Sequence, residues 1–333
     1  MSQMATRQWM VTHEWMVKPM HQREWIERRG IMIWIAETFT SLGAGLYLVS
    51  LFINSWWGLL IGWIIIMFIK LPIHLAYFGK PWRFYRTMPP WSNAWKTSWF
   101  ARGILFSVLF GMFGFVQIVF GQPDLVNLIG SSICTPIYYT FGVLAGLNAL
   151  GVGIYGGFIM NYVKGIPFWN QGLLPVVIML AGIADGFGLV TAVGLAGGDA
   201  SVAWAETGSR YLLLVNILLI VTYLISSGYA SSVAKLSIKE LLMGPSALMF
   251  WGGLIFLGLL VPAGISVYGL IQGGEAANIL LVVAIVAHTI GAFALKYCIL
   301  KEGIYRPLLP KNSRFCSARL CSSTCARMLI SRT

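Results

Sequence analysis

Glu37, Lys70, His74, Asp185 and His288 are ionisable side chains within long apolar runs of this 333-residue sequence. Such groups are expensive where lipid is expected, so each is a candidate functional residue. Glu37 sits about 9 Å into the first run at 1.5 Å per residue, and Thr38, Thr40 and Ser41 follow it. A carboxyl placed there can relay a proton. It can equally pair with Lys70 or a nearby arginine to hold the first two runs together, and the two roles are compatible. Lys70 and His74 are four residues apart and share one helical face. Snorkelling of the lysine toward water accounts for part of this pattern. It does not account for a histidine near Tyr77, a pairing suited to hydrogen-bonding a carbonyl oxygen such as that of a quinone. Asp185 lies in Ala-Gly-Ile-Ala-Asp-Gly-Phe-Gly, where small neighbours leave room for water or a ligand, or for a purely structural contact. His288, alone on an apolar helix, reads as a satisfied core histidine.

The elements that position these groups follow from composition. Hydrophobic residues make up 58% of the chain and charged residues only 10%, with a mean hydropathy of +0.77. A soluble two-domain protein is excluded. A helical span needs roughly 20 apolar residues, and eight runs qualify: Ile31 to Ile53, Trp57 to Phe78, Phe100 to Phe120, Ile137 to Met160, Leu173 to Leu195, Tyr211 to Tyr229, Leu248 to Leu270, and Ile279 to Leu300. Most of the chain is committed to the bilayer, leaving no room for a soluble catalytic domain. Residues 1–30 read as an amphipathic arm with Trp9, Trp15 and Trp25 among charges, 31–300 as the membrane domain, and 301–333 as a basic Ser/Cys/Arg tail. Glycine pairs four residues apart, such as Gly182 with Gly186, predict close helix packing.

An even number of spans puts both termini on one side. The net charge of +12 is carried mostly by that side: Lys80, Arg83, Arg86, Lys96 and Arg102 after the second run, Lys235 and Lys239 after the sixth, and Lys296 onward. The opposite side holds Arg210 with Asp124, Asp199, Glu206 and Glu275. The positive-inside rule then places both termini in the cytoplasm. No cleaved signal peptide is expected, because no short apolar core precedes a small-residue cleavage site.

The five cysteines, Cys134, Cys298, Cys316, Cys321 and Cys325, form no CxxC pair, so no metal site, disulfide framework or cluster is expected in this chain. Bis-histidine haem ligation needs two imidazoles at matching depth. His74 and His288 differ in depth by roughly 10 Å on helical rise, so no haem is expected either.

The stretch KLPIHLAYFGKPWRFYRTMPPWSNAWKTSWFARG, from Lys70 to Gly103, combines a helix end, a Gly-Lys-Pro turn and a basic aromatic loop. With AETFTSLGAGLYL around Glu37 and KGIPFWNQGLLP after the fourth run, it resembles the polysulfide reductase membrane-subunit family, the NrfD/PsrC type. The specific motifs cover about residues 30 to 190. The resemblance implies an all-α integral membrane fold of eight transmembrane helices arranged as two four-helix bundles, in a prokaryotic inner membrane. It implies exchange of electrons and protons with menaquinone or ubiquinone, an iron-sulfur partner subunit, and a molybdopterin or multihaem catalytic subunit. The site residues expected on this reading are Glu37, His74 and Asp185 for proton and electron chemistry, with His74, Tyr77, Arg83 and Arg102 near the quinone; Gly79 and Pro81 belong to the same turn. The loop arginines are equally suited to stabilising the turn or docking a partner. A secondary transporter would need inverted repeats with a midplane site, and no convincing repeat is present. A structural anchor without quinone would leave Glu37 and His74 unexplained.

Overall fold

The computed structural model describes residues 18–87, 89–197, 201–272 and 278–308. Residues 1–17 of the arm, with Trp9 and Trp15, lie outside the described residues, as do Asp199, Glu275 and the tail from 309 with its three cysteines. Among the described residues, eight helices are long and apolar enough to cross a membrane. They are α1 (Ile31–Ile53), α2 (Trp56–Tyr77), α3 (Trp99–Phe120), α4 (Ser131–Asn161), α5 (Leu174–Gly197), α6 (Ser201–Ala230), α8 (Met249–Ile271) and α9 (Asn278–Lys301). A ninth, α7 (Ser232–Met243), is amphipathic and joins α6 to α8. The protein is an all-α integral membrane protein. Phe52, Phe68, Leu218 and Leu248 are exposed on its surface, which suits side chains that meet lipid rather than water.

Local chemistry sets the helix ends. Ser55, Ser98 and Ser231 each accept a bond from a first-turn N–H of α2, α3 and α7, satisfying donors that a helix start leaves orphaned. Asn54 closes α1 in the left-handed region with φ of 53°. Two helices contain π-helical turns, Ile65–Lys70 in α2 and Met249–Leu260 in α8. Each runs into a proline near the start of the following α-helical segment, Pro72 and Pro262. A proline lacks the N–H and its ring crowds the carbonyl four residues back, and widening the preceding turn relieves that crowding.

α1 is the central helix, packing against α2, α4, α5 and α9; α5 packs in turn against α4, α6 and α9. The α1–α5 contact is possible because Gly45 meets Gly182 and Gly186 backbone to backbone. The connection after α4 folds inward: Phe168 and Trp169 are fully buried. Trp169 Nε1 donates to the Ile299 carbonyl at 2.6 Å, and Tyr223 OH donates to the Phe168 carbonyl at 2.6 Å. This segment therefore joins α6 to α9. Near the termini, β1 (Met20–His21) pairs antiparallel with β2 (Ile304–Tyr305).

Two expectations need correction. Glu206 and Arg210, read as residues of a connection, lie within α6 and bond each other one turn apart. That pairing neutralises both charges and lets the helix begin ten residues before the apolar run. Lys296, counted with the basic terminal segment, lies inside α9 and is 3% exposed.

Candidate functional site

α1 carries Glu37, α2 carries His74 and Tyr77, and the three line one cavity of about 360 Å³. Its walls are otherwise apolar and aromatic: Trp25, Ile33, Phe78, Phe100, Ile159, Met160 and Leu300. That size and lining fit a small, flat, largely apolar ligand oriented by few polar groups. Tyr77 and Phe78 also border a wider opening of about 700 Å³ rimmed by Arg23, Arg28 and Arg29 together with Glu24 and Glu27. The cavity thus adjoins a vestibule of mixed but net positive charge. Trp25 reaches the cavity from the arm and packs on Trp169, ring centroids 5.2 Å apart.

The Glu37 carboxyl is buried against Gly156 of α4. The side chain of the neighbouring Tyr155 faces the same carboxyl. Lys70 stands at the end of the π-helical turn in α2 and is 3% exposed. Its Nζ donates to Ser107 Oγ at 2.8 Å and lies 5.2 Å from the Tyr155 ring centroid. The lysine therefore turns into the protein instead of snorkelling. Its charge also acts electrostatically on Glu37. His74 stacks on Phe100 at 5.8 Å and meets Phe78 edge-on. Its Nδ1 is buried and has no hydrogen-bond partner. A buried polar atom without a partner costs about 1–3 kcal/mol, and here it belongs to a ring on the cavity wall.

Asp185 does not line this cavity. It is buried in α5, with Oδ1 3.2 Å from His288 Nε2. His288 Nδ1 bonds the Gly258 carbonyl at 2.9 Å. Gly258 lies four residues before Pro262, so its carbonyl is the one that the proline cannot serve. The histidine is bonded through one ring nitrogen, while the other lies near Asp185, whose carboxylate oxygens have no hydrogen-bond partner. The Lys296 ammonium is also buried, without a hydrogen-bond partner, and interacts electrostatically with both acids. It shares a small void with Glu37, Met160 and Ile178. On the far side, His288 lines a cavity that also holds Glu206, Ser209 and Arg210. A line of ionisable groups thus runs from α6 through His288, Asp185 and Lys296 to Glu37.

The loop arginines stand apart from the cavity. Arg102 donates to the Trp95 and Lys96 carbonyls at 3.1 and 2.8 Å and lies over Trp99, which pins the loop to the start of α3. Arg83 is exposed in a short 3-10 segment, Pro81–Thr87. Gly79 borders the vestibule. Sequence reasoning missed Lys296, Tyr155 and Ser107. Lys296 had a usable signal, since it falls inside the eighth apolar run. Tyr155 and Ser107 had none, because uncharged polar residues are ordinary in such helices.

The sequence matches the profile of the family described as "Polysulphide reductase, NrfD" over residues 31–307. It belongs to the NrfD family. Among curated relatives of this NrfD-family protein, the "Protein NrfD homolog" of Haemophilus influenzae is 23% identical over 257 residues, covering 71% of this sequence and 78% of that one. The polysulfide reductase C chain of Wolinella succinogenes is 28% identical over 207 residues, 58% of this sequence and 59% of the relative. The family match spans every membrane helix of the fold, α1 through α9, and so includes both the cavity and the polar line beneath it.

Proposed function

We propose that this protein is the membrane anchor and quinone-reacting subunit of a respiratory oxidoreductase. In this reading it exchanges electrons between menaquinone or ubiquinone and a partner iron-sulfur subunit, with a molybdopterin or multihaem catalytic subunit beyond it. The observation that carries the proposal is the cavity that brings Glu37, His74 and Tyr77 together within aromatic walls. The residues fit a quinone: an imidazole nitrogen without a partner stands where a carbonyl oxygen needs one, and a buried carboxyl stands beside it. When bound, the quinone supplies two-electron, two-proton redox chemistry. His74, with Tyr77 nearby, orients the head group. Glu37, beside Tyr155 and under the charge of Lys70, gives or takes the proton. Trp25, Phe78 and Phe100 exclude water. The line through Lys296, Asp185 and His288 suits proton movement between this cavity and the Glu206 end of α6. The same reading sets α1 to α4 and the second half of the fold as two four-helix bundles. It puts both termini in the cytoplasm of a prokaryotic inner membrane and has the vestibule meet the partner. An anchor without quinone gives the cavity and the bare His74 nitrogen no use, and a transporter would call for an internal repeat that the sequence does not show.

The test is purification from native membranes in mild detergent, followed by analysis of subunits, iron, molybdenum and extractable quinone. Co-purifying iron-sulfur and catalytic subunits with bound quinone are expected, the quinone content falling in His74→Phe. A lone polypeptide that binds no quinone would overturn the reading.

A further inference from the structure

Three acid and imidazole side chains far apart in sequence converge outside the quinone cavity. His21 comes from β1, Glu240 from the amphipathic helix α7, and Glu302 directly follows α9. One ligating atom from each lies within 4.8 Å of the others. His21 Nε2 and Glu240 Oε2 are 3.0 Å apart. Glu302 is only 2% exposed: one carboxylate oxygen accepts a bond from the Ser246 hydroxyl, while Oε2 is buried with no partner.

An ion pair between His21 and Glu240 accounts for two of the three residues. It leaves the third unexplained. A second carboxylate beside Glu240, almost wholly withdrawn from water and bare on one oxygen, is a costly arrangement unless a cation completes it. A divalent cation offsets that cost.

We propose that His21, Glu240 and Glu302 bind a divalent transition-metal cation, with zinc the first candidate. One imidazole and two carboxylates, with a fourth position open to water, is a donor set that zinc accepts at about 2.0–2.2 Å per ligand. Tetrahedral ligands at that radius are roughly 3.4 Å apart. Rotation of His21 and Glu240, both partly exposed, brings the present cluster to that spacing. The role is structural: the ion ties the start of the sequence to α7 and to the end of α9, beside the β1–β2 pair. It shares no residue with the quinone cavity and does not depend on the proposed function.

The test uses the full-length protein without a histidine tag, purified in detergent, stripped with a chelator and titrated with zinc chloride against a chromophoric competitor. The wild type is compared with His21→Ala, Glu240→Gln and Glu302→Gln. The expected result is one zinc retained per molecule, at least a tenfold weaker affinity in each variant, and a zinc-dependent rise in melting temperature that His21→Ala abolishes. His21 is half-exposed, so that variant keeps the comparison meaningful even if Glu302→Gln fails to fold. Zinc retained equally by wild type and His21→Ala sits elsewhere, for instance on the tail cysteines, and overturns the proposal. So does a wild-type protein that retains none.

Discussion

Glu37 of α1 and Gly156 of α4 are in direct contact: a Cβ built at Gly156 would overlap Glu37 Oε2. The glycine is what lets the carboxyl occupy its place between two helices beside the cavity. Gly156→Ala meets the movable end of a side chain, so the fold tolerates it at a cost near the low end of the 1–3 kcal/mol typical of overpacking. The carboxyl must swing away. Quinol turnover is expected to fall about tenfold to a hundredfold, as for small misplacements of catalytic groups, while the complex purifies with its subunits intact. Unchanged turnover would remove the Glu37 position from the mechanism.

Gly45→Ala is the contrasting case. Its Cβ would overlap the Gly182 carbonyl oxygen, and no backbone atom can rotate away. α1 and α5 would have to separate along the centre of the molecule. The expected cost is about 3 kcal/mol or more, read as a sharp loss of monodisperse protein on gel filtration and not as a selective loss of turnover.

His74→Phe keeps a ring of similar shape between Phe78 and Phe100 and deletes the bare nitrogen. One hydrogen bond between neutral groups contributes about 0.5–1.5 kcal/mol, so KM for quinol should rise roughly twofold to tenfold. The melting temperature should hold or increase, since a buried unsatisfied group is removed. Steady-state kinetics and a thermal scan on the same preparation separate the two effects. A KM that does not move would mean that His74 does not touch the quinone.

Glu27, just before α1, and Lys301, the last residue of α9, give a pH test at the edge of the membrane helices. Lys301 Nζ donates to Glu27 Oε1 at 3.1 Å and holds that carboxyl below the ordinary value of 4.5. A depressed carboxyl contributes stability that is present above the unfolded value and is lost as pH falls through the folded one. The melting temperature of the wild type should therefore drop below pH 4.5 by a margin that Glu27→Gln lacks. Because Glu27 is solvent-exposed the margin is small and shrinks with added salt. Parallel melting curves down to low pH would not be expected if the contact persists in solution.

Much of this was legible beforehand because lipid is a demanding solvent. Every span had to be apolar for about 20 residues, so all eight appear in the sequence, and Glu37 and His74 stand out against that background. The start of α6 was hidden because Glu206 and Arg210 are charged, and only their pairing within one helix makes them compatible with it. Trp169 was similarly hidden, since a polar-looking connection gives no sign that it turns inward and bonds Ile299. The His21, Glu240 and Glu302 cluster leaves no local spacing to read, because its members meet only after β1 and β2 pair.

Lys296 bears most directly on how the two buried acids communicate. Its ammonium is held in the interior without a hydrogen-bond partner, and it interacts electrostatically with both Asp185 and Glu37. Removing one partner from a set of buried charges typically costs about 3–5 kcal/mol, because the charges left behind lose their compensation. Lys296→Met is thus expected to lower the melting temperature by roughly ten degrees. A role in moving protons predicts a different pattern for turnover: a fall of about tenfold or more, the scale of acid–base contributions, and a larger solvent deuterium isotope effect. Asp185→Asn, with His288 still bonded to Gly258, should reproduce the kinetic loss. A Lys296→Met enzyme that turns over normally would mean that protons reach Glu37 from the vestibule side, leaving the line through α5 and α9 a structural network.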